Sequence, residues 1–381
     1  MTVSIWQANG SQPIREVDVL VVGAGLVGCA AAYFATQAGH HVTITEMRDV
    51  ALGASSRNAG FVITGLDTYY HTSTAQYGID TVRELWALSA KTHEYWRQFA
   101  RAGDVNWHDC GSLLLAESKE EARELELAAR ALNADGIAAN FHSTDPLRRG
   151  YFAAVEQPGD AAVQPYELTW AVFNQSGAEL VNNNEMYAIH QEEPECVTVY
   201  TRQYIFKARY VMLCTNAYSP NIDPYFIGKI IPTRAQCIAT APLKQTVIET
   251  CGYSDYGYMY YRQTFDGRLL IGGARNRNFE LEHNTSDDRL TDPIQRALEA
   301  YLRDKFPDVD APIDRRWAGI MAFTPDKLPL VGILPGKPRV GFAVGFNGHG
   351  LAFGAGVAER AVDMLLNGVD PGPLNAARLE K

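Results

Sequence analysis

Gly23-Ala-Gly25-Leu-Val-Gly28 sets three glycines at the spacing G-x-G-x-x-G. Each glycine answers a separate demand. The first permits a tight turn, the second lets backbone approach a pyrophosphate, and the third lets a helix pack close to its strand. The N–H groups and dipole at the helix start then hold the anion. Glu46 follows about 20 residues on, where a carboxylate accepts hydrogen bonds from adenosine ribose hydroxyls. The combination points to a bound dinucleotide rather than a plain packing turn. NAD and FAD both use such a unit, and two other stretches favour a flavin. Gly53-Ala-Ser-Ser-Arg-Asn-Ala-Gly60 can offer hydroxyls and backbone N–H groups to a second cofactor segment. Gly345-Phe-Asn-Gly-His-Gly350 is another glycine turn running into a helix. A reduced flavin is negative near N1 and C2=O, and a helix N-terminus placed there stabilises it.

The elements that carry these groups follow from patterning. Asp18–Val22 reads as a buried parallel strand, Leu26–Ala38 as a helix closed by Gly39, and His41–Thr45 as the next strand, ended by Glu46. This is a βαβ unit. Asp80–Arg101 carries an apolar stripe, and Ser118-Lys-Glu-Glu121 is a capping box opening another helix. Pro165–Gly177 reads as a helix, Val197–Tyr200 and Ile205–Leu213 as strands. Tyr256–Arg262 and Arg268–Gly272 read as strands joined by an Asp266-Gly267 hairpin turn. Thr291-Asp-Pro293 starts a helix, Arg339–Val344 is a strand, and Leu351–Leu366 is the closing helix.

Composition bounds the possibilities. The chain has 381 residues and a net charge of −10, enough for two intertwined domains and poorly suited to a nucleic-acid backbone or an anionic membrane. Val19–Thr45 and Val340–Ala358 contain no Asp, Glu, Lys or Arg. Their glycines divide each into strand, turn and helix, so membrane helices are not expected. Met1–Pro13 does not read as a signal peptide. The six scattered cysteines include no C-x-x-C pair and the nine histidines show no metal spacing. No metal is expected, and a reducing cytoplasm is the simpler setting.

The ordered motifs resemble those of the FAD-dependent amine and amino-acid oxidases of the D-amino-acid oxidase/glycine oxidase superfamily, with the gamma-glutamylputrescine oxidase-like group nearest in pattern. They include Gly53–Gly60, Cys214-Thr-Asn-Ala-Tyr218, Ile238–Pro242, Tyr260-Tyr-Arg262, Arg268–Gly273, Trp317-Ala-Gly319, Lys327–Gly332 and Gly348-His-Gly350. The resemblance implies an α/β fold: a Rossmann-type FAD-binding domain over residues 1–80, 155–222 and 318–381, and an α+β substrate domain on a mixed sheet over 81–154 and 223–317. It assigns to the cofactor Gly23, Gly25, Leu26, Val27, Gly28, Glu46, Met47, Arg48, Ser55, Ser56, Arg57, Asn58, Gly60, Met186, Thr215, Asn216, Gly319, Asn347, Gly348, His349, Gly350 and Leu351. Departures are informative. Met321 stands where glycine oxidases similar to this chain carry a carboxylate-clamping arginine. Gly319 and Asn58 stand where related enzymes attach flavin covalently, so FAD is expected to be non-covalent. Leu270 replaces the lysine that helps oxygen react in sarcosine oxidases.

The expected chemistry is oxidation of a C–N bond in a small amino acid or N-substituted amine, by hydride transfer to flavin N5. Water then hydrolyses the imine, and oxygen, the expected acceptor, gives hydrogen peroxide. An aromatic pocket favours the neutral amine by desolvation, and the flavin carries the hard chemistry. Tyr258, Tyr260 and Arg262 are expected to alternate onto one strand face, with Tyr258 against substrate. Arg262, Arg275 and Arg277 are possible carboxylate anchors. His349 is expected beside the flavin ring, with Tyr69, Tyr70 and His71 within reach of the pocket. An amine dehydrogenase using a carrier, an NAD-linked dehydrogenase and a tRNA-modifying flavoprotein are the alternatives. The Gly348-His-Gly350 turn opposes the second and the acidic charge the third.

Overall fold

The computed structural model describes residues 12–380, so most of the segment read for a leader lies outside the described residues. Ile14–Val22 runs parallel to Val42–Thr45 on one side and Ile205–Leu213 on the other. Glu179–Val181 continues the parallel sheet beyond Val42–Thr45, and Val340–Val344 pairs with the last residues of Ile205–Leu213. Where both faces are covered the strands are buried and mostly apolar, at Val19–Val22, Val42–Thr45, Val211–Leu213 and Val340–Val344, whereas the start of the first strand carries Arg15, Glu16 and Asp18. Val19 and Val21 join one buried cluster with the helices, while Leu20 and Val22 join another on the opposite face. Helices Leu26–Gln37, Ile79–Ala102, Pro165–Ser176 and Gly350–Asn367 pack on the first face.

A second sheet of eight strands runs in the order Ile313–Phe323, Ile231–Thr240, Leu269–Gly273, Met259–Gln263, Cys251–Ser254, Ser112–Leu115, Ala154–Gln157, Asn140–His142. It is antiparallel apart from the Cys251–Ser254/Ser112–Leu115 pair, and helix Asp292–Lys305 covers one face. Phe61–Val62, Ala161–Val163 and Trp107–His108 form a small third sheet. Among the described residues, no helix is long and apolar enough to cross a membrane.

Element boundaries agree closely with the patterning where local chemistry decides them. Ser118 Oγ accepts from Glu121 N at 3.0 Å, although Glu121 reaches back to Glu117 N, one residue before the cap. Gly177 closes its helix in the left-handed conformation. The expected strand at Tyr256 is corrected. Asp255, Tyr256 and Gly257 all have positive φ (52°, 54° and 82°), and the strand begins only at Met259. Both proposed cuts near 80 and 317 meet continuous elements. Ile79–Ala102 buries Leu85, Leu88 and Trp96 in the core of the first sheet's helical face, and Ile313–Phe323 is one unbroken strand of the second sheet.

Candidate active site

The first turn shows why its glycines are there. Gly23 has φ +105°, a region that L side chains rarely occupy. A Cβ on Gly28 would lie 1.9 Å from Gly23 O, so only glycine lets this helix sit so close to its strand. Ser55 Oγ accepts from Leu26 N at 2.8 Å, joining the early polar loop to the helix start. The Glu46 carboxylate accepts from Ala24 N at 2.8 Å and Arg48 N at 2.9 Å. An ionised carboxylate has about four acceptor sites, so two stay open for ribose hydroxyls. The N–H groups of Gly25 and Val27 have no acceptor among the described residues, and the N-cap, Gly25, has no side chain to supply one.

The second turn repeats the arrangement. Asn347 and Gly348 have φ +52° and +82°. Asn347 is buried: its Oδ1 accepts from Thr324 N at 2.8 Å, and its Nδ2 donates to Gly345 O at 2.8 Å. These bonds hold the turn, leaving Gly350 and Leu351 N–H without acceptors among the described residues at the start of Gly350–Asn367. Trp96 Nε1 donates to Leu351 O at 2.7 Å, fixing this start against Ile79–Ala102.

One cavity of about 610 Å³ takes in both helix starts, within the range of roughly 300–1,000 Å³ typical of ligand sites. Two sets of unsatisfied N–H donors, with Glu46 between strand and turn, fit an extended cofactor whose pyrophosphate and ring system both carry negative charge. The far wall is aromatic: Phe61, Tyr69, Tyr253, Tyr256, Tyr260 and Phe323. Burial pushes the Tyr253 and Tyr260 phenols up, so both remain protonated and can donate. Arg275 also lines the cavity. Its guanidinium stacks over Tyr258 at 4.6 Å and Phe323 at 5.3 Å, and no acidic partner lies within ion-pair distance among the described residues.

Residues 18–364 match the family of DAO-type FAD-dependent oxidoreductases. The chain belongs to this family. This oxidoreductase is 24% identical to 4-methylaminobutanoate oxidase (formaldehyde-forming) of Paenarthrobacter nicotinovorans over 97% of its own length. It spans only 46% of that longer relative. It is 23% identical to N-methyl-L-tryptophan oxidase of Escherichia coli O81 (strain ED1a), covering 91% of this chain and 94% of the relative. Its fold is similar to that of L-proline dehydrogenase from P. horikoshii, with a TM-score of 0.80, 24% identity, and coverage of 97% and 98% of the two chains. FAD is therefore its cofactor.

Most of the oxidoreductase's expected cofactor residues line the cavity: Gly23, Gly25, Leu26, Val27, Glu46, Met47, Arg48, Ser55, Arg57, Asn58, Met186, Thr215, Asn216, Gly319, and Asn347 through Leu351. Gly28, Ser56 and Gly60 lie behind it. Ser56 Oγ is turned to Ala51 O, and Gly60 packs where a Cβ would meet Val163 O at 2.2 Å. On the substrate side, Tyr260 and His349 line the cavity, as do Tyr69 and Tyr70, whereas His71 pairs with Glu124 outside it.

Tyr258 and Arg262 are placed differently from expectation. The left-handed turn holds Tyr258 off the strand, beneath Arg275. Arg262 is buried, with Nη1 directed at the carbonyls of Ala59, Gly60 and Val163. It ties the cofactor loop to the second sheet rather than facing the cavity. Arg277 is exposed and pairs with Asp255. Sequence reasoning named neither Tyr253 nor Tyr256 for the site. Tyr253 carried a usable signal, because it alternates with Cys251 on a strand bordering the tyrosine-rich run.

Proposed function

We propose that the protein oxidises the C–N bond of a small amino acid or N-substituted amine bearing a carboxylate, and that Arg275 receives that carboxylate. The observation that carries this reading is a guanidinium with no acidic partner among the described residues, held against two aromatic rings at the cavity wall. Bidentate charge-assisted bonding suits such a group to a planar carboxylate. The two relatives' names, an N-methyl amino acid and a methylaminobutanoate, share an amine and a carboxylate, which supports the same class.

Bound along the two helix starts, FAD supplies the two-electron acceptor for hydride from the carbon beside nitrogen. The protein's own part is to bind, orient and exclude water. Phe61, Tyr253 and Tyr260 give the amine a largely apolar wall, which favours its neutral, hydride-donating form. The Tyr253 hydroxyl has no protein partner among the described residues, so it is available to donate to substrate. Asn347 positions the closing helix, and His349, at its N-cap, lines the cavity with Nδ1 3.1 Å from Asn347 O. Non-covalent FAD is proposed because Asn58 is engaged with Ala54, Ser55 and Gly60 backbone. Oxygen is the proposed acceptor, giving peroxide; the relatives' names as oxidases support it. Six free cysteines support the proposed reducing, cytoplasmic setting.

The test is anaerobic mixing of the FAD-loaded protein with paired amines that differ only in a carboxylate, such as sarcosine against dimethylamine. Bleaching of the visible flavin bands by the carboxylated member is expected. Equal bleaching by both members would refute the anchor, and bleaching by neither across a panel of N-methyl and free amino acids would refute the reaction class. Acid precipitation should leave a colourless pellet. Readmitted oxygen should yield one peroxide per turnover, whereas turnover only with an added electron carrier would favour the dehydrogenase reading.

A further inference from the structure

Two thiols meet where the small third sheet joins the second sheet. Cys110 Sγ and Cys251 Sγ are 3.9 Å apart. Cys251 is fully buried at the start of Cys251–Ser254, while Cys110 is half-buried in the loop before Ser112–Leu115, the strand that pairs with it. Arg262, only 4% exposed, lies beside them. Its guanidinium has carbonyl oxygens as partners and no carboxylate within ion-pair distance among the described residues. A buried cation answered only by dipoles favours an anion forming next to it. Asp160, the other charged group acting on Cys251, opposes ionisation there.

The two sulfurs are consequently unequal. Hydrogen bonding from Cys251, aided by Arg262, holds the Cys110 thiol down at about 7, below the usual cysteine range. The Cys251 thiol is pushed up, first by its bond to Cys110 and then by burial. By contrast, burial raises Cys214 and Cys237 to about 12. One accessible, readily ionised thiol beside a second, buried one is the arrangement of an attacking and a resolving cysteine.

We propose that Cys110 and Cys251 form a reversible disulfide driven by hydrogen peroxide, and that this modification alters the substrate wall of the cavity. The Cys110 thiolate attacks one peroxide oxygen, the O–O bond breaks, and hydroxide leaves to be protonated to water. The product is a Cys110 sulfenic acid. The Cys251 sulfur, giving up its proton, then attacks the sulfenic sulfur, and the S–O bond breaks as the S–S bond forms, releasing a second water. Two thiols lose two electrons in total, and one peroxide becomes two waters. A dithiol reductant reverses the change. Peroxide is the named oxidant whatever its source, so the inference stands apart from the proposed amine oxidation.

The coupling to the cavity is geometric. A disulfide needs the sulfurs at about 2.0 Å, so they must close by roughly 2 Å. Cys110 lies in a loop, but Cys251 is two residues from Tyr253, which lines the cavity and packs edge-on against Phe61 with centroids 5.1 Å apart. Tension on Cys251 therefore reaches two rings of the aromatic wall.

The experiment treats the full FAD-loaded chain with a small molar excess of hydrogen peroxide and reads intact mass, non-reducing peptide maps and backbone hydrogen exchange. The expected result is loss of the mass of two hydrogen atoms and a Cys110–Cys251 cross-linked peptide. Dithiothreitol should reverse both. Exchange should change at residues 61–62 and 251–254. Cys251→Ser should stop the oxidation at Cys110 sulfenic acid, trappable by dimedone, and Cys110→Ser should abolish both products. Preferential oxidation of another cysteine, or direct overoxidation of Cys110 in the unaltered chain, overturns the pair. A cross-link that leaves exchange at these strands unchanged overturns the coupling to the cavity.

Discussion

Gly28→Ala tests whether the first helix start is an anion grip or only a tight packing turn. The added Cβ would lie 1.9 Å from Gly23 O, 3.0 Å from Gly23 C and 3.4 Å from Cys214 Cβ. All but the last are backbone atoms, so no rotamer change relieves the clash. Reaching an ordinary C···O contact of about 3.3 Å requires the helix to retreat by roughly 1.4 Å. That distance is enough to break a hydrogen bond, and Leu26 N to Ser55 Oγ stands in the same turn. A hydrogen bond to a charged group contributes about 1.5–3 kcal/mol, so losing one such bond to the pyrophosphate predicts FAD binding weaker by roughly 10- to 150-fold. The assay is titration of the stripped protein with FAD, followed by quenching of flavin fluorescence, with urea unfolding measured in parallel. Gly159→Ala is the control, since its Cβ would meet nothing within 4 Å. A folded Gly28→Ala protein that binds FAD within about threefold of the parent would refute the argument.

Three other outcomes follow from the same geometry. Arg275→Leu should raise KM for a carboxylated amine by roughly 10- to 100-fold, the loss expected for a charge-assisted contact, while sparing flavin content; unchanged KM would free Arg275 from the anchor role. Burial holds His93 down at about 4, so the folded protein keeps it neutral while the unfolded chain protonates near 6.5. Its contribution is then complete above pH 6.5 and lost as pH falls toward 4, by up to about 3 kcal/mol. Asp160, raised to about 6 by burial, acts oppositely, favouring the fold as pH falls through 6 toward 4. Urea titrations should therefore show the stability advantage of the parent over His93→Gln shrinking across that window; a pH-independent gap would contradict the assignment. The buried Arg234–Glu282 pair, bonded at 2.8 and 3.1 Å, should make Arg234→Met cost about 3–5 kcal/mol by stranding a carboxylate, with Arg234→Met/Glu282→Leu costing less. Equal losses in the two variants would show that Glu282 is not stranded.

Much of the cofactor side was legible along the chain because it is built from contiguous backbone. The glycines at 23, 25 and 28, the acid at the end of the next strand and the Gly345–Gly350 turn each state a local steric or electrostatic demand. Their spacing survives whatever the rest of the fold does. The substrate side was less legible. Tyr258 was expected on a strand, because nothing in Asp255-Tyr256 announces two consecutive non-glycine residues at positive φ. Arg262 was a candidate anchor because its type suits carboxylates, but long-range packing set Ala59, Gly60 and Val163 carbonyls around it.

The amino-acid sequence alone therefore determined the dinucleotide unit, the family to which its motifs point and the two glycine turns that open helices onto one cavity. Only the tertiary structure decided which of three arginines faces the cavity, which tyrosines form its wall, and that thiols at 110 and 251 come within 3.9 Å. The physical reason is range. Turns and caps are set by sterics within a few residues, whereas side-chain neighbours across strands depend on pairing and register, which the whole core must agree on.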